Sequence, residues 1–355
     1  MRPWLLGEGE EIKELWGLLD LSAWDAFFLQ HPSLLPEGAA LPSQLVLSLA
    51  EGEGTGFGWE KLTLSALKQG AWGSLKLFAL VLFGGLMLGW MQSKEGKVSK
   101  TAAGAVRLSL CALVLLGVLG SVQTGIESLE LLASLYRVTL GVSLPALLLL
   151  GSPSTASALG GAGEVLLGSI FRLMQKVMVP LSLGAGVLGT LDTGDKGVLY
   201  GLSQLGETLC RGGLKLVSLL YMAVSALTNG SAAAADGVLL RTGKAAAGSL
   251  PALGGLVSDS MEAVAACLGA VKGGMGTAAV LLLGLGVLSP ALTLLLQSLA
   301  LKSAGAFAGA LGGGELTPVC GSLQRMLSLL ASFLIAGAAM GAVCLHTALG
   351  GLRMG

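Results

Sequence analysis

The chain has 355 residues, of which 53% are hydrophobic and 12% charged, and its formal net charge at pH 7 is zero. Soluble domains carry roughly 25% charged residues, so a mean hydropathy of +0.80 excludes an ordinary soluble protein and predicts an integral membrane protein. Glycine is frequent, with 56 residues, but no Gly-X-Y period is present, which excludes collagen.

The first 70 residues form an acidic segment that differs from the rest of the chain. They contain ten Asp and Glu against four Lys and Arg, a net charge of −6. Hydrophobic residues at helical spacing in 12–19 predict a short amphipathic helix, and residues 20–30 have room for a second. Pro32, Pro36 and Pro42 then indicate a turn-rich linker. We therefore predict a small helical head in residues 1–70 and a membrane domain in residues 71–355.

From residue 71 onward, long apolar runs alternate with short charged breaks. A membrane-spanning helix needs about 20 mostly apolar residues. Seven runs meet this length, at residues 71–91, 102–122, 138–156, 173–191, 216–235, 276–297 and 326–347. The predicted fold class is an all-α polytopic membrane bundle with about seven spans, within a range of five to eight. Between the fifth and sixth spans, residues 236–272 are predicted to form paired amphipathic helices broken near Pro251.

Local composition predicts how these helices pack and bend. Two stretches rich in small residues, 84–89 and 336–342, are typical of close helix–helix contacts in membranes. Pro145, Pro180 and Pro290 fall inside predicted spans, where kinked or broken helices are tolerated if neighbouring groups satisfy the freed carbonyl oxygens.

The charge distribution predicts an orientation in the membrane. The break after the first span is the richest basic cluster of the chain and is predicted to be cytoplasmic; it contains Lys94, Lys97 and Lys100. The acidic head and the break containing Glu127 and Glu130 would then lie outside. The N-terminus has no basic region followed by an apolar core, the pattern of a cleavable signal peptide. Either such a signal has been removed or the first membrane helix directs insertion.

Two glycine motifs resemble nucleotide-binding sequences but lack the required context. In residues 236–248, DGVLLRTGKAAAG, five residues separate Gly237 from Gly243, and Ala245 stands where a phosphate-binding loop needs Ser or Thr. The G-x-G-x-x-G match at 184–189 lies in an apolar span with no surrounding βαβ unit. We therefore predict helix packing at the second motif and no nucleotide site at either.

Catalytic and metal-binding patterns are also missing from the sequence. The five cysteines are not within metal-ligand spacing of one another, and there are only two histidines. No Ser/His/Asp, Cys/His or paired-carboxylate arrangement stands out, so we expect no enzyme, cofactor or metal. Ion-coupled transport usually needs ionisable groups at membrane depth, and the centres of the uncharged spans contain none. A permease for a small solute stays open, because helices interrupted at Pro145 and Pro290 could bind a solute through backbone groups.

An ordered set of residues in the second half resembles the stage III sporulation protein AE family of endospore-forming bacteria. The residues that carry it in 236–264 are Asp236, Gly237, Arg241, Thr242, Lys244, Pro251, Gly254 and Asp259. Further matches are VKGGMG at 271–276, Pro290, and the segments 140–158 and 177–183. The resemblance covers roughly residues 70–350. It departs from the family pattern at Gly243, at Gly273 and in 309–316.

The resemblance implies a function that composition alone does not. It implies a polytopic protein of the mother-cell membrane that faces the forespore and belongs to a channel or secretion-like complex. The implied partners are other membrane proteins of its operon, including a secretion-type ATPase. We predict that residues 236–259 form an assembly surface, with Arg241 and Lys244 sharing one helical face. Simple anchoring of this basic pair at cytoplasmic headgroups is the alternative reading.

Overall fold

All regular structure in the described part of the chain is helical. A computed structural model describes residues 20–32, 41–44, 59–92, 97–149, 151–191, 198–248 and 254–350. Its helices are α1 (Ser22–Gln30), α2 (Trp59–Gln92), α3 (Lys97–Leu149), α4 (Pro153–Ala158), α5 (Glu164–Leu173), α6 (Val179–Leu191), α7 (Val198–Gly248), α8 (Gly254–Ala310) and α9 (Leu316–Gly350). Two π-helical turns, Leu159–Gly163 and Met174–Met178, connect α4 to α5 and α5 to α6. The predicted all-α membrane class is confirmed.

Among the described residues, five helical stretches are long and apolar enough to cross a membrane. They are Gly70–Met91, Gly104–Leu149, Pro153–Leu191, Met275–Ala310 and Leu316–His346. This number lies within the predicted range of five to eight, and the count of seven stays a prediction. Helix α7, where a span was predicted at 216–235, is not among the five. Its exposed side nevertheless carries a row of leucines, which suits contact with lipid: Leu199, Leu202, Leu205, Leu209, Leu216, Leu219, Leu220 and Leu227.

The predicted break between the second and third spans is wrong, because α3 runs uninterrupted through Glu127 and Glu130. Charged residues end a hydropathy run, but they do not end a helix when apolar residues continue at helical spacing. Leu129, Leu132 and Tyr136 keep that spacing and are buried. At 53 residues, α3 is about 80 Å long, far longer than the roughly 30 Å hydrocarbon core of a bilayer.

Helices α8 and α9 form an antiparallel hairpin against which the other long helices pack. The turn between them contains Gly312, whose φ of 94° lies in the left-handed region that favours glycine. Helix α2 runs along α8 and approaches it closely at Gly85. A Cβ atom built on Gly85 would lie 2.6 Å from the Cβ of Ala308. The close contact predicted for the small-residue stretch 84–89 is therefore confirmed.

The prolines do not break the helices. Pro145 lies inside α3 and Pro290 inside α8, and both helices continue past them. Pro180 is the second residue of α6 and directly follows the π-helical turn Met174–Met178. A π-helical turn shifts hydrogen bonds from i−4 to i−5. The adjacent wide turn accommodates a residue that lacks a backbone N–H.

The described part of the acidic head packs on the bundle. Helix α1 lies within the predicted second helix of the head, at 20–30. Its Trp24, Phe27 and Phe28 are buried and belong to the same apolar core as α3, α8 and α9. The predicted helix at 12–19 lies outside the described residues.

The Gly85 contact can be tested with a matched glycine. Gly85→Ala should destabilise the protein by about 1–3 kcal/mol, because the new methyl group has no room and the facing atoms include backbone. Gly184→Ala should be neutral or stabilising by up to about 1 kcal/mol, because alanine favours helix and nothing lies within 4 Å of its Cβ position. Thermal unfolding of both variants in detergent is the measurement. Equal shifts in unfolding temperature would contradict the close contact.

Candidate functional site

The predicted assembly segment lies at the end of α7 and the start of α8. Residues 236–248 complete α7, α8 begins at Gly254, and Pro251 lies outside the described residues. One helix therefore carries Asp236, Gly237, Arg241, Thr242 and Lys244, and the next carries Gly254 and Asp259. Since the backbone is helical at Arg241 and Lys244, their three-residue spacing puts them on one side of α7. The role of this segment stays a prediction.

Both nucleotide-like motifs lie within helices. Gly237 and Gly243 belong to α7, so the backbone between them does not form a phosphate-wrapping loop. Two glycines of the second motif pack on α9. A Cβ on Gly186 would lie 2.6 Å from the Sδ of Met326, and one on Gly189 would lie 2.8 Å from the Cβ of Ser322. The predicted role of this motif in helix packing is confirmed.

An ion pair joins α7 to α9 inside the bundle. Arg325 Nε donates to Glu207 Oε1 at 2.6 Å, and Arg325 Nη2 donates to Ser322 Oγ at 3.1 Å. The side chain of Glu207 is 10% exposed and that of Arg325 is 28% exposed. A carboxylate this deeply buried needs a charged partner, and Arg325 supplies it. No local sequence pattern points to this pair, because its two members lie 118 residues apart.

Neutral hydrogen bonds add to this contact between helices. Gln324 Nε2 donates to Ser298 Oγ at 3.3 Å, and Ser298 Oγ donates to the carbonyl oxygen of Gln324 at 3.2 Å. Ser203 Oγ donates to the carbonyl oxygen of Ala185 at 2.7 Å, which joins α7 to α6. Polar groups that pair across helices are a principal source of association in membranes, where burial of apolar surface gives little driving force.

A cavity lies in a groove between α3 and α8. Its volume is about 850 Å³, and it is lined by the residues of one polar stripe on each helix and by His31 of the head. The stripe on α3 includes Ser121, Thr124, Glu127, Ser128, Glu130 and Ser134, and the stripe on α8 includes Gly286, Ser289, Pro290, Thr293 and Gln297. Sequence reasoning missed this cavity because it assigned Glu127 and Glu130 to a loop.

A smaller cavity of about 390 Å³ lies between α3 and α5. Its lining includes the four charged residues Glu130, Arg137, Glu164 and Arg172. No ion pair joins these four side chains among the described residues. Each helix thus contributes one acid and one base, and Glu130 borders both cavities.

The described residues contain no group of three or more His, Cys, Asp or Glu that could hold a metal ion. Within the same ranges, Cys111, Cys210, Cys320 and Cys344 are thiols that form no disulfide bond. Cys344 packs against Tyr136, whose hydroxyl lies 3.5 Å from the sulfur. A buried cysteine in such a position packs as a small apolar side chain.

The helical bundle, its long apolar stretches and its lipid-compatible leucine row define a multi-pass α-helical membrane protein. The family model described as stage III sporulation protein AE matches residues 60–350. The chain belongs to this family, as the residue pattern predicted.

One curated relative extends this comparison. The stage III sporulation protein AE of Bacillus subtilis (strain 168) is 25% identical over 225 residues, which are 62% of this chain and 56% of that protein. The match therefore spans little more than half of the relative's length. No solved structure matches the chain.

The ion pair is testable by a double-mutant cycle. Arg325→Ala should destabilise the protein by about 2–3 kcal/mol, because it leaves the Glu207 carboxylate buried without its partner. Glu207→Ala combined with Arg325→Ala should cost less than the sum of the single changes. Arg211→Ala, an exposed cation on the same helix α7, is the control and should shift the unfolding temperature little. Additive effects of the two replacements would contradict coupling between Glu207 and Arg325.

Proposed function

We propose that the protein is a multi-pass component of a channel or secretion-like complex between mother cell and forespore, needed for forespore development after engulfment. Membership of the stage III sporulation protein AE family carries this proposal, because the match covers residues 60–350. The protein would reside in the mother-cell membrane around the forespore, with its acidic head extracytoplasmic. Its partners would be the lipid bilayer and other membrane proteins of its operon, including a secretion-type ATPase.

Within this complex the protein would have a structural role and no chemistry of its own. The helices are joined by short-range packing and by pairs such as Glu207–Arg325, which are contacts that stabilise a scaffold. A scaffold subunit needs surfaces for neighbouring proteins more than it needs reactive groups. No cofactor or nucleic acid enters this proposal.

Deletion of the gene in its host tests the proposed role. Forespores should form and be engulfed, then collapse or fail to develop, and expression of the intact chain in the mother cell should restore spores. The measurement is microscopy of engulfed forespores together with heat-resistant spore counts. Normal spore yield after deletion would overturn the proposal.

The basic pair of α7 is the proposed contact for assembly. Arg241→Ala with Lys244→Ala should lower spore yield while the membrane level of the protein stays normal, because a partner surface would lose its two cations. Arg211→Ala with Lys215→Ala is the matched control, since these exposed cations lie on the same helix. If both double variants sporulate normally, the segment has no role in assembly. If the Arg241/Lys244 variant instead fails to accumulate in the membrane, anchoring at headgroups is the better explanation.

A permease subunit for a small solute is the second candidate. The observation in its favour is the cavity of about 850 Å³ between α3 and α8, a volume within the range of small-molecule sites. Uptake measurements in the deletion strain separate the two functions. A transport defect in vegetative cells without any sporulation defect would favour the permease.

A further inference from the structure

Most of the polar side chains that line the cavity between α3 and α8 offer oxygen atoms. Hydroxyl groups come from Ser121, Thr124, Ser128, Ser134, Ser289 and Thr293, carboxylates from Glu127 and Glu130, and an amide from Gln297. Oxygen is the ligand atom that hard cations prefer. Hydroxyls and carboxylates are also the acceptors that an ammonium group needs.

The charges around the cavity have one sign. Glu127 and Glu130 are one turn apart on α3, and the described residues that line the cavity include no lysine or arginine. Gln123 Nε2 donates to Glu127 Oε1 at 3.1 Å, which leaves the second carboxylate oxygen available. The cavity therefore attracts cations and repels anions.

The imidazole of His31 adds an acceptor at the head side of the cavity. Its Nδ1 lies 2.9 Å from the carbonyl oxygen of Phe27, and a carbonyl oxygen can only accept a hydrogen bond. Nδ1 therefore carries the hydrogen, and in the neutral ring Nε2 is left with a lone pair. The ring also stacks on Phe27 at a centroid distance of 4.6 Å, which fixes its orientation.

A buried polar atom in the wall lacks a partner. Gln297 is 7% exposed and lines the cavity. Its Oε1 has no hydrogen-bond partner among the described residues. A buried amide oxygen without a partner is unfavourable, and a donor or cation in the cavity would remove that cost.

Pro290 gives the same wall a second acceptor. It has no N–H to donate to the carbonyl oxygen of Gly286, four residues earlier in α8. Gly286 and Pro290 both line the cavity. The wall of α8 thus combines an amide oxygen and a backbone carbonyl oxygen, opposite two carboxylates on α3.

We propose that this cavity binds a hydrophilic cation, held by Glu127 and Glu130 on α3 and by oxygen atoms of Gln297 and its neighbours on α8. A volume of about 850 Å³ exceeds that of a bare ion, so the cation is either a metal ion that keeps its water shell or an alkylammonium compound. Both are positively charged and would be bound by the carboxylates and other oxygen atoms of the wall. The proposed site lies within the helical bundle, so this proposal does not depend on the proposed sporulation complex.

Cation titration of the full-length protein in nanodiscs of zwitterionic lipid tests the proposal. K⁺, Mg²⁺, Ca²⁺ and putrescine are added separately to protein in a buffer of constant ionic strength whose cation is tetrabutylammonium, which is apolar and has no N–H to donate, and binding is measured by calorimetry. At least one of them should bind saturably and raise the unfolding temperature, because a ligand that binds only the folded state stabilises it. Saturable binding of a metal ion or of putrescine shows which of the two kinds of cation the cavity takes.

Variants assign the binding to this cavity. Glu127→Gln with Glu130→Gln should lower the affinity at least about tenfold, whereas Glu164→Gln, an acid of the smaller cavity only, should leave it unchanged. Gln297→Glu adds a carboxylate to the wall of α8. It should lower the unfolding temperature without cation and raise the affinity for it, a gain that loss of folding would not produce. If no cation binds, or if binding survives the double replacement, the proposal is overturned.

Discussion

A single turn of α9 connects three other helices of the bundle. Ser322 packs against Gly189 of α6, Gln324 pairs with Ser298 of α8, and Arg325 pairs with Glu207 of α7. Ser322 and Arg325 are three positions apart and lie on one side of α9, where they hydrogen-bond each other, whereas Gln324 points away from Ser322. Two directional polar contacts and one close packing contact from a single turn fix the rotation of α9 relative to its neighbours. The remaining packing of the hairpin follows from that orientation.

Small residues then set the distances that the polar contacts require. Apolar burial does little to join helices in lipid, so association depends on close packing and interhelical hydrogen bonds. Gly85 and Gly189 allow helices to approach until a methyl group would no longer fit. Close approach brings short side chains such as Ser298 and Ser203 within hydrogen-bond reach of the next helix. The glycines therefore allow the close approach of the helices, and the serines form the hydrogen bonds that this approach permits.

The sequence predicted features that depend on local pattern and missed those that depend on distant partners. Apolar runs predicted the helical class, and the small-residue stretch 84–89 predicted a close contact that exists at Gly85. The Glu207–Arg325 pair joins residues 118 positions apart, and no local spacing encodes such a contact. The break at Glu127 and Glu130 was misplaced because hydropathy registers charge, whereas helix continuity depends on backbone propensity and on which side of the helix each residue occupies.

That misplaced break changes the argument about solutes. The sequence argued against ion-coupled transport because the centres of the uncharged predicted spans contain no ionisable groups, with Glu127 and Glu130 placed in a charged break between two spans. In the structure both carboxylates belong to α3, and both line the groove between α3 and α8. Helix α3 is about 80 Å long at 1.5 Å per residue. Its polar stripe and the apolar segments on either side of it belong to this one helix. The lack of ionisable groups in the predicted spans therefore does not argue against a cation bound in this groove. Gln297 Oε1, which has no hydrogen-bond partner among the described residues, gives a physical reason to look for one.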